Sequence, residues 1–305
     1  MTSATPACLI DASIYIFRYY FSMPDNWFSE EEGYGTGAVY GYSLFLLRLL
    51  EEHRPSHVAA CYDESLGQCF RNQLYPGYKA SRALPDEALA FQLHACRRFG
   101  ELLGIASFAS ETHEADDLIG TLARVLRRSP RPVAILTRDK DLGQLLRRPQ
   151  DYLWDHAADL QLYAPDLYAK MGVQPAQLVD YLALVGDSID DIPGVPGIGA
   201  KSAQALLAEY GDLDELFRNL DTLAKLPLRG ARGLAAKLEA HREQIEISRQ
   251  LALIVEDLPL AIKIADLRRG AVNWAGMTEF AREMGFGDRF LTRARKALEP
   301  VQTVS

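Results

Sequence analysis

The chain has few of the residues that mark metal-stapled, secreted or membrane folds. Its four cysteines, Cys8, Cys61, Cys69 and Cys96, include no C-x-x-C pair. That argues against a structural zinc frame and fits a reduced, cytoplasmic setting. Long apolar runs are absent too: "AVYGYSLFLL" (38–47) stops at Arg48, well short of the ~20 residues that a membrane span needs. The start, "MTSATPACLID", has neither a basic segment nor a long apolar core, so it does not read as a secretory signal. The nucleotide-cradling spacing G-x-x-x-x-G-K-[ST] is missing, as are long-period repeats and low-complexity tracts. Positive charge is in deficit, with a net charge of −8. Taken globally, this argues against a nucleic-acid partner. The conclusion depends on where the acids lie: if nine of them lined one metal site, the remainder would carry +1, and local patches would decide.

What is present divides the chain in two. "ACLID" (7–11), "HVAACYD" (57–63) and "PVAILTRD" (132–139) are short apolar runs, each ending in aspartate. Amphipathic patterns lie between them at 37–53, 86–104 and 114–128. This alternation predicts a buried parallel sheet with helices on both faces. A hairpin is expected over 152–165. Beyond about residue 172 the pattern turns helical, at 175–186, 199–211, 212–220, 231–255 and 277–298, and ends in a polar tail. The predicted division is an α/β domain over 1–172, an all-helical domain over 173–262 and a helical extension with tail over 263–305.

The acids raise the first chemical question. "HEADDLIG" (113–120) places Glu114, Asp116 and Asp117 within four positions. They could simply favour the positive end of a helix, worth roughly 0.3–1 kcal/mol each. They could equally surround a cation. Glu114 and Asp116 would lie about 200° apart on an ideal helix, so they reach one ion only if the helix points its N-terminus at it. Asp11, Asp63, Asp139 and Asp141 follow strands, at the rim where open parallel sheets bind ligands. "VGDSIDDIPG" (185–194) adds Asp187, Asp190 and Asp191 before a Pro-Gly turn. Each of these alone is also an ordinary turn or capping residue.

Two segments suit phosphates. "FRNQLYPGYKASR" (70–82) carries Arg71, Lys79, Arg82 and two tyrosines with no acid; it reads as a surface loop or as a grip on a nucleic-acid backbone. Tyr75 and Tyr78 suit base stacking or the core equally well. "GVPGIGAKSAQALL" (194–207) sets glycines at 194, 197 and 199 before a helix with Lys201 in its first turn, which lets backbone N–H groups approach phosphate.

Taken in order, "LIDAS", "TGAVYGYS", "FRNQLYPGYKASR", "EADDLIG", "LTRDKDLGQLL", "VGDSIDDIPGVPGIGAKSA" and "FAREMGFGDRFL" resemble the structure-specific 5′-nucleases, the group of the 5′→3′ exonuclease domain of bacterial DNA polymerase I and the flap endonucleases. The resemblance runs from Asp11 to about residue 298. It implies a PIN-like or resolvase-like α/β nuclease domain followed by a helical helix–three-turn–helix domain. It also implies a metal set of Asp11, Asp63, Glu114, Asp116, Asp117, Asp139, Asp141, Asp187 and Asp190. The first group would hold one Mg²⁺ and the later aspartates a second, with Asp116 near both; Mn²⁺ would substitute. Arg18, Lys79 and Arg82 match phosphate-gripping positions, with Lys79 and Arg82 assigned catalytic roles, and Arg71 joins them as a DNA contact. Gly197, Gly199, Lys201 and Ser202 belong to the hairpin that holds duplex DNA, with K⁺ as an associated ion. The family usually has Asn at the position of Asp191 and His or a similar residue near Asn72.

The implied function is a 5′→3′ exonuclease and flap endonuclease of DNA replication and repair that hydrolyses phosphodiesters near 5′ ends by two-metal chemistry. Its partners would be DNA with flaps, nicks or free 5′ ends, and no membrane. A length of 305 residues leaves no room for a polymerase domain, so a standalone, monomeric nuclease is expected. Two competing readings stay open: a catalytically weak DNA-junction-binding protein of the same fold, and a metal-dependent ribonuclease.

Overall fold

The computed structural model describes residues 5–24, 26–65, 68–228 and 230–299; residues 300–305 of the polar tail lie outside the described residues. Two compact units form, and neither is a continuous stretch of chain. One comprises residues 1–64, 84–138 and 256–305, the other residues 65–83 and 139–255.

The first unit is built on four parallel strands in the order β3-β2-β1-β4: β1 (Ala7–Asp11), β2 (Val58–Asp63), β3 (Ala106–Ser110) and β4 (Val133–Leu136). The apolar runs of β1, β2 and β4 are buried almost throughout, as central strands of a parallel sheet require. The third strand, "ASFAS", is only half-buried and has no apolar run; its pairing with β2 makes it a strand. Register sets Asp11 opposite Cys61 and Asp63 opposite Ser110, so both acids end their strands at the same rim.

Helices α1 (Ala12–Tyr20), α2 (Gly37–His53), α4 (Glu87–Leu102) and α5 (Ala115–Leu126) belong to the same unit. Along α5, Leu118, Ile119, Leu122, Ala123 and Leu126 recur at helical spacing and are buried, and the helix packs on β1, β2 and β3. His53 and His57 stand four residues apart but share no helix face: α2 ends at His53 and Arg54 turns left-handed at φ 44°. The pattern over 277–298 divides into α12 (Trp274–Glu283) and α13 (Asp288–Leu298), with Gly285 at φ 69° between them.

Among the described residues the second unit is helical apart from one antiparallel hairpin, β5 (Tyr152–Asp155) and β6 (Leu160–Leu162). Its helices are α3 (Phe70–Leu74), α6 (Ala164–Met171), α7 (Leu178–Val185), α8 (Ala200–Tyr210), α9 (Leu213–Arg218), α10 (Ala231–Ala240) and α11 (Arg242–Ala252). The stretch 231–255 is thus two helices, because His241 leaves helical geometry at φ −113°, ψ 14°. Leu178, Leu182 and Leu184 of α7 are almost wholly buried, packed among Leu206, Leu207, Leu238 and Leu251. Each contributes about 1.5–3 kcal/mol of apolar burial.

Candidate metal centres and nucleic-acid contacts

In the first unit the acids stand at the ends of β1 and β2 and at the start of α5. Asp11 is buried, and its Oδ2 accepts a hydrogen bond from the Thr137 hydroxyl at 2.8 Å. The main-chain N–H of Asp63 donates to the Ser13 hydroxyl at 2.9 Å, which steadies the end of β2. Glu114 is the N-cap of α5, not part of it; Asp117 Oδ2 accepts the Glu114 N–H at 3.2 Å, and the Asp117 N–H donates to the Glu114 main-chain carbonyl at 3.1 Å. The Asp117 carboxylate thus serves helix initiation, satisfying a main-chain N–H at the start of α5. Asp117 is fully buried, Glu114 nearly so, and Asp116 half-buried. Asp116 and Asp117 lie in the first turn of α5. Burial pushes the Cys61 thiol well up, and the negative charges of Asp11 and Asp116 add to it. Those two carboxylates thus bear on one spot.

In the second unit, Asp139, Asp141, Asp187 and Asp190 form another group. Asp139 Oδ1 accepts the Asp141 N–H at 2.8 Å, closing a tight turn. Asp141 Oδ1 is buried and has no hydrogen-bond partner. Burial, then the charge of Asp139, drives the Asp141 carboxyl up to about 7; Lys140 opposes this, while Asp187 and Asp190 reinforce it. Burial also disfavours the Lys140 ammonium, but Asp141, Asp187 and Asp139 outweigh it and raise its pKa. Lys140 Nζ lies 3.5 Å from Asp187 and 3.9 Å from Asp141. Lys140 is a single point of positive charge beside Asp139, Asp141 and Asp187, and it leaves Asp141 Oδ1 without a hydrogen bond. The acid loop itself closes on reciprocal main-chain bonds between Asp187 and Ile192, and Gly186 meets Gly194 so closely that a Cβ at 194 would lie 2.1 Å from the Val185 carbonyl oxygen.

The basic segment folds onto this acid loop. Lys79 Nζ lies 3.5 Å from Asp190 Oδ2, Arg82 pairs with the other oxygen of Asp190, and the Lys79 N–H donates to the Asp190 carbonyl at 3.0 Å. Asp191, left-handed at φ 54°, accepts from both the N–H and the hydroxyl of Ser81, at 2.9 and 2.7 Å. Those bonds hold its carboxyl below the usual range. Tyr78 is in the core, and Tyr75 packs against it.

Arg71 departs from the expected phosphate contact. It is 2% exposed; Nε donates to the Leu251 carbonyl at 2.9 Å, and a terminal nitrogen donates to Leu253 at 2.8 Å. These are carbonyls at the end of α11, which the helix itself cannot satisfy. A guanidinium so placed ties α3 to α11 and does not reach outward. Arg18, in the last turn of α1, is exposed.

The glycine hairpin presents its backbone openly. Gly197 turns at φ 78°, Gly199 caps α8, and Gly197, Gly199 and Lys201 are exposed, with Ser202 partly so. From behind, Ser248 donates to the Pro193 carbonyl, Gln244 to Gly194 and Lys237 to Pro196, at 2.7, 2.8 and 2.8 Å. The turn is thus braced by side chains of α10 and α11.

Comparison with known proteins fits this arrangement. Residues 6–172 match the family model for the 5′-3′ exonuclease N-terminal resolvase-like domain, and residues 173–275 match the 5′-3′ exonuclease C-terminal SAM fold. The chain belongs to the 5′-3′ exonuclease family. DNA polymerase I of Pseudomonas aeruginosa is 38% identical over 97% of this chain and 32% of its own length. The thermostable DNA polymerase I of Thermus filiformis is 37% identical over 92% of the chain and 32% of its length. The chain thus spans about a third of these relatives. Among solved structures, T5 5′-exonuclease with bound divalent zinc has a TM-score of 0.64 at 18% identity, covering 96% of this chain and 98% of that one. The catalytic core of Rad2 in complex with a DNA substrate has a TM-score of 0.66 at 15% identity, covering 97% and 94%. At these identities the likeness establishes the shared fold.

Four residues of this 5′-3′ exonuclease family member enter the site without having stood out in the sequence: Ser13, Ser81, Thr137 and Lys140. Lys140 had a signal, since it lies between two aspartates. The hydroxyls had none, because their partners are distant in sequence.

Proposed function

We propose that the chain is a divalent-metal-dependent 5′→3′ nuclease acting on DNA near 5′ ends, as exonuclease and flap endonuclease, with Mg²⁺ as the resident ion and Mn²⁺ able to replace it. The observation that carries the reading is Asp141 Oδ1, a buried carboxylate oxygen with no hydrogen-bond partner, in a group with Asp139, Asp187 and Asp190. An all-oxygen donor set of this kind suits a hard cation.

Asp139, Asp141, Asp187 and Asp190 would hold one ion; Asp11, Asp63, Glu114, Asp116 and Asp117 would hold another. Such ions supply water activation and charge neutralisation for in-line displacement at phosphorus. The chain's own groups orient and grip. Thr137 fixes the Asp11 carboxylate, and Ser13 fixes the end of β2. Lys79 and Arg82, paired with Asp190 in the free protein, exchange that carboxylate for substrate phosphate. Arg18 adds a further contact, and the exposed turn from Gly197 to Ser202 meets duplex backbone through its N–H groups and Lys201. A K⁺ there would need carbonyl oxygens other than those of Pro193, Gly194 and Pro196, which already accept from side chains.

The test is cleavage of end-labelled flap, nicked, single-stranded and RNA substrates with Mg²⁺, Mn²⁺ or chelator. Metal-dependent release of product from the 5′ side of flap or nicked DNA is expected. Binding without cleavage in either metal would leave a junction-binding protein, and preferential RNA cleavage would make it a ribonuclease.

A further inference from the structure

The opposite ends of the strands in the first unit carry charge that the metal acids do not use. Asp11 and Asp63 close β1 and β2 at their carboxyl ends, whereas His57 precedes β2 and Arg131 precedes β4. The main chain at His57 forms an antiparallel bridge with Arg268, and the Arg269 N–H donates to the Ser56 carbonyl at 3.0 Å. Arg131 reaches across to the Thr5 carbonyl and the Ser56 hydroxyl, at 2.9 and 3.2 Å. A pocket of about 510 Å³ opens here, lined by Pro55, Ser56, Arg268, Arg269 and Gly270.

The balance of charge in this pocket is one-sided. Among the described residues, neither Arg268 nor Arg269 forms an ion pair with an acid. Asp266, close by in sequence, caps the short turn that follows Lys263, accepting the Lys263 N–H at 2.8 Å. Burial, and then the like charge of Arg54, lowers the pKa of Arg269. Burial lowers that of His57, and Arg131 and Arg268 lower it further. Exposed arginines are common and need no ligand. A half-buried guanidinium with cationic neighbours and no carboxylate is a different case: it gives up hydration and receives repulsion. An oxyanion is the group that offsets both, and the planar fork of arginine matches phosphate in particular.

We propose that this pocket binds a phosphate oxyanion, gripped by Arg268 and Arg269 and attracted by Arg54 and Arg131. The phosphate belongs either to a nucleic-acid strand crossing the amino ends of the strands or to a free phosphate or nucleotide. His57 is the reporter, because it is buried beside the pocket and its ring nitrogen Nδ1 lies 3.0 Å from the Ser56 hydroxyl. A bound anion offsets the arginines that hold its pKa down.

The experiment follows the ring signals of His57 in the full chain by NMR across pH, in chelator, with and without inorganic phosphate at constant ionic strength. Phosphate is expected to raise the His57 pKa by about half a unit to one unit. Arg268→Gln, which changes an exposed side chain, and Arg269→Gln should each remove most of that shift while circular dichroism stays unchanged. Duplex DNA without a flap is the second arm. A His57 shift with duplex, together with a salt slope of binding reduced by about 0.9 in Arg268→Gln, assigns the phosphate to a strand. A shift with inorganic phosphate alone assigns it to a free ligand. A His57 pKa unmoved by either, or moved equally in both variants, overturns the proposal.

Discussion

Asp141 offers a direct test of the acid cluster without DNA. Its carboxyl is pushed up to about 7 by burial and by Asp139, with Asp187 and Asp190 adding to the effect. For a carboxyl whose folded pKa is raised, the folded state holds the proton more firmly than the unfolded chain. The stability from this group is therefore fully present below the unfolded value, near ~3.9, and is lost as pH rises through about 7. A shift of about three units corresponds to an upper limit of about 4 kcal/mol. Because neighbouring carboxyls share the proton, about 1–3 kcal/mol is the expected loss for metal-free protein between pH 5 and pH 8. Asp141→Asn is neutral throughout and removes the repulsion, so in chelator it should be more stable than wild type at pH 8 and nearly equal to it at pH 5. Mg²⁺ should reverse the order at pH 8, since it stabilises the protein that binds it better. Urea unfolding at both pH values, with chelator and with Mg²⁺, measures all four cases. Wild-type protein that is equally stable at pH 5 and pH 8 in chelator, or a variant less stable than wild type at pH 8 in chelator, would refute the reasoning.

Arg71→Ala should destabilise the chain by about 3 kcal/mol, because two carbonyls lose a charged donor inside the protein, while the salt slope of DNA binding stays unchanged. Urea midpoints and salt-dependent binding of the variant separate this from a phosphate contact. Asp187→Asn should abolish Mg²⁺-dependent cleavage of flap DNA yet fold normally; near wild-type turnover would remove Asp187 from the metal set. A Cβ at Gly199 would meet no atom within 4 Å and the position requires no left-handed backbone, so Gly199→Val should change stability little while weakening binding to duplex-containing substrates more than to single strands. Equal losses on both substrates would exclude the turn as a duplex anchor. Lys79→Ala should lower turnover more than binding, whereas Arg82→Ala should chiefly weaken binding, as read from flap-substrate kinetics and Ca²⁺-supported binding.

How much of this was legible in the sequence follows from the distance over which each residue acts. β1, β2 and β4 were readable because a buried parallel strand needs a continuous apolar run, and their terminal aspartates marked the rim. β3 was not, since "ASFAS" becomes a strand only through its pairing with β2. The cluster at 114–117 was readable as two alternatives, and the structure shows the capping one directly: Asp117 Oδ2 accepts the Glu114 N–H at the start of α5. Arg71 looked like its basic neighbours. Its partners lie 180 residues away, and nothing local distinguishes an inward guanidinium from an outward one. The same holds for Asp191, whose partner Ser81 lies 110 residues away and which takes a left-handed turn open to Asn as well as Asp.

The Arg71 contact also bears on how the chain comes into being. Synthesis delivers residues 65–83 early, but the α11 carbonyls that Arg71 satisfies emerge about 180 residues later. Until then the nascent segment carries an unmatched cation and two core-forming tyrosines, and the first unit waits longer still for residues 256–299. The second unit cannot close before residue 255 has emerged, nor the first before residues 256–299, so a ribosome-bound chain should stay protease-sensitive in both until then. For the same reason a fragment begun at Asp139 would expose the Leu251 and Leu253 carbonyls, and supplying the 65–83 peptide in trans is the natural way to restore it.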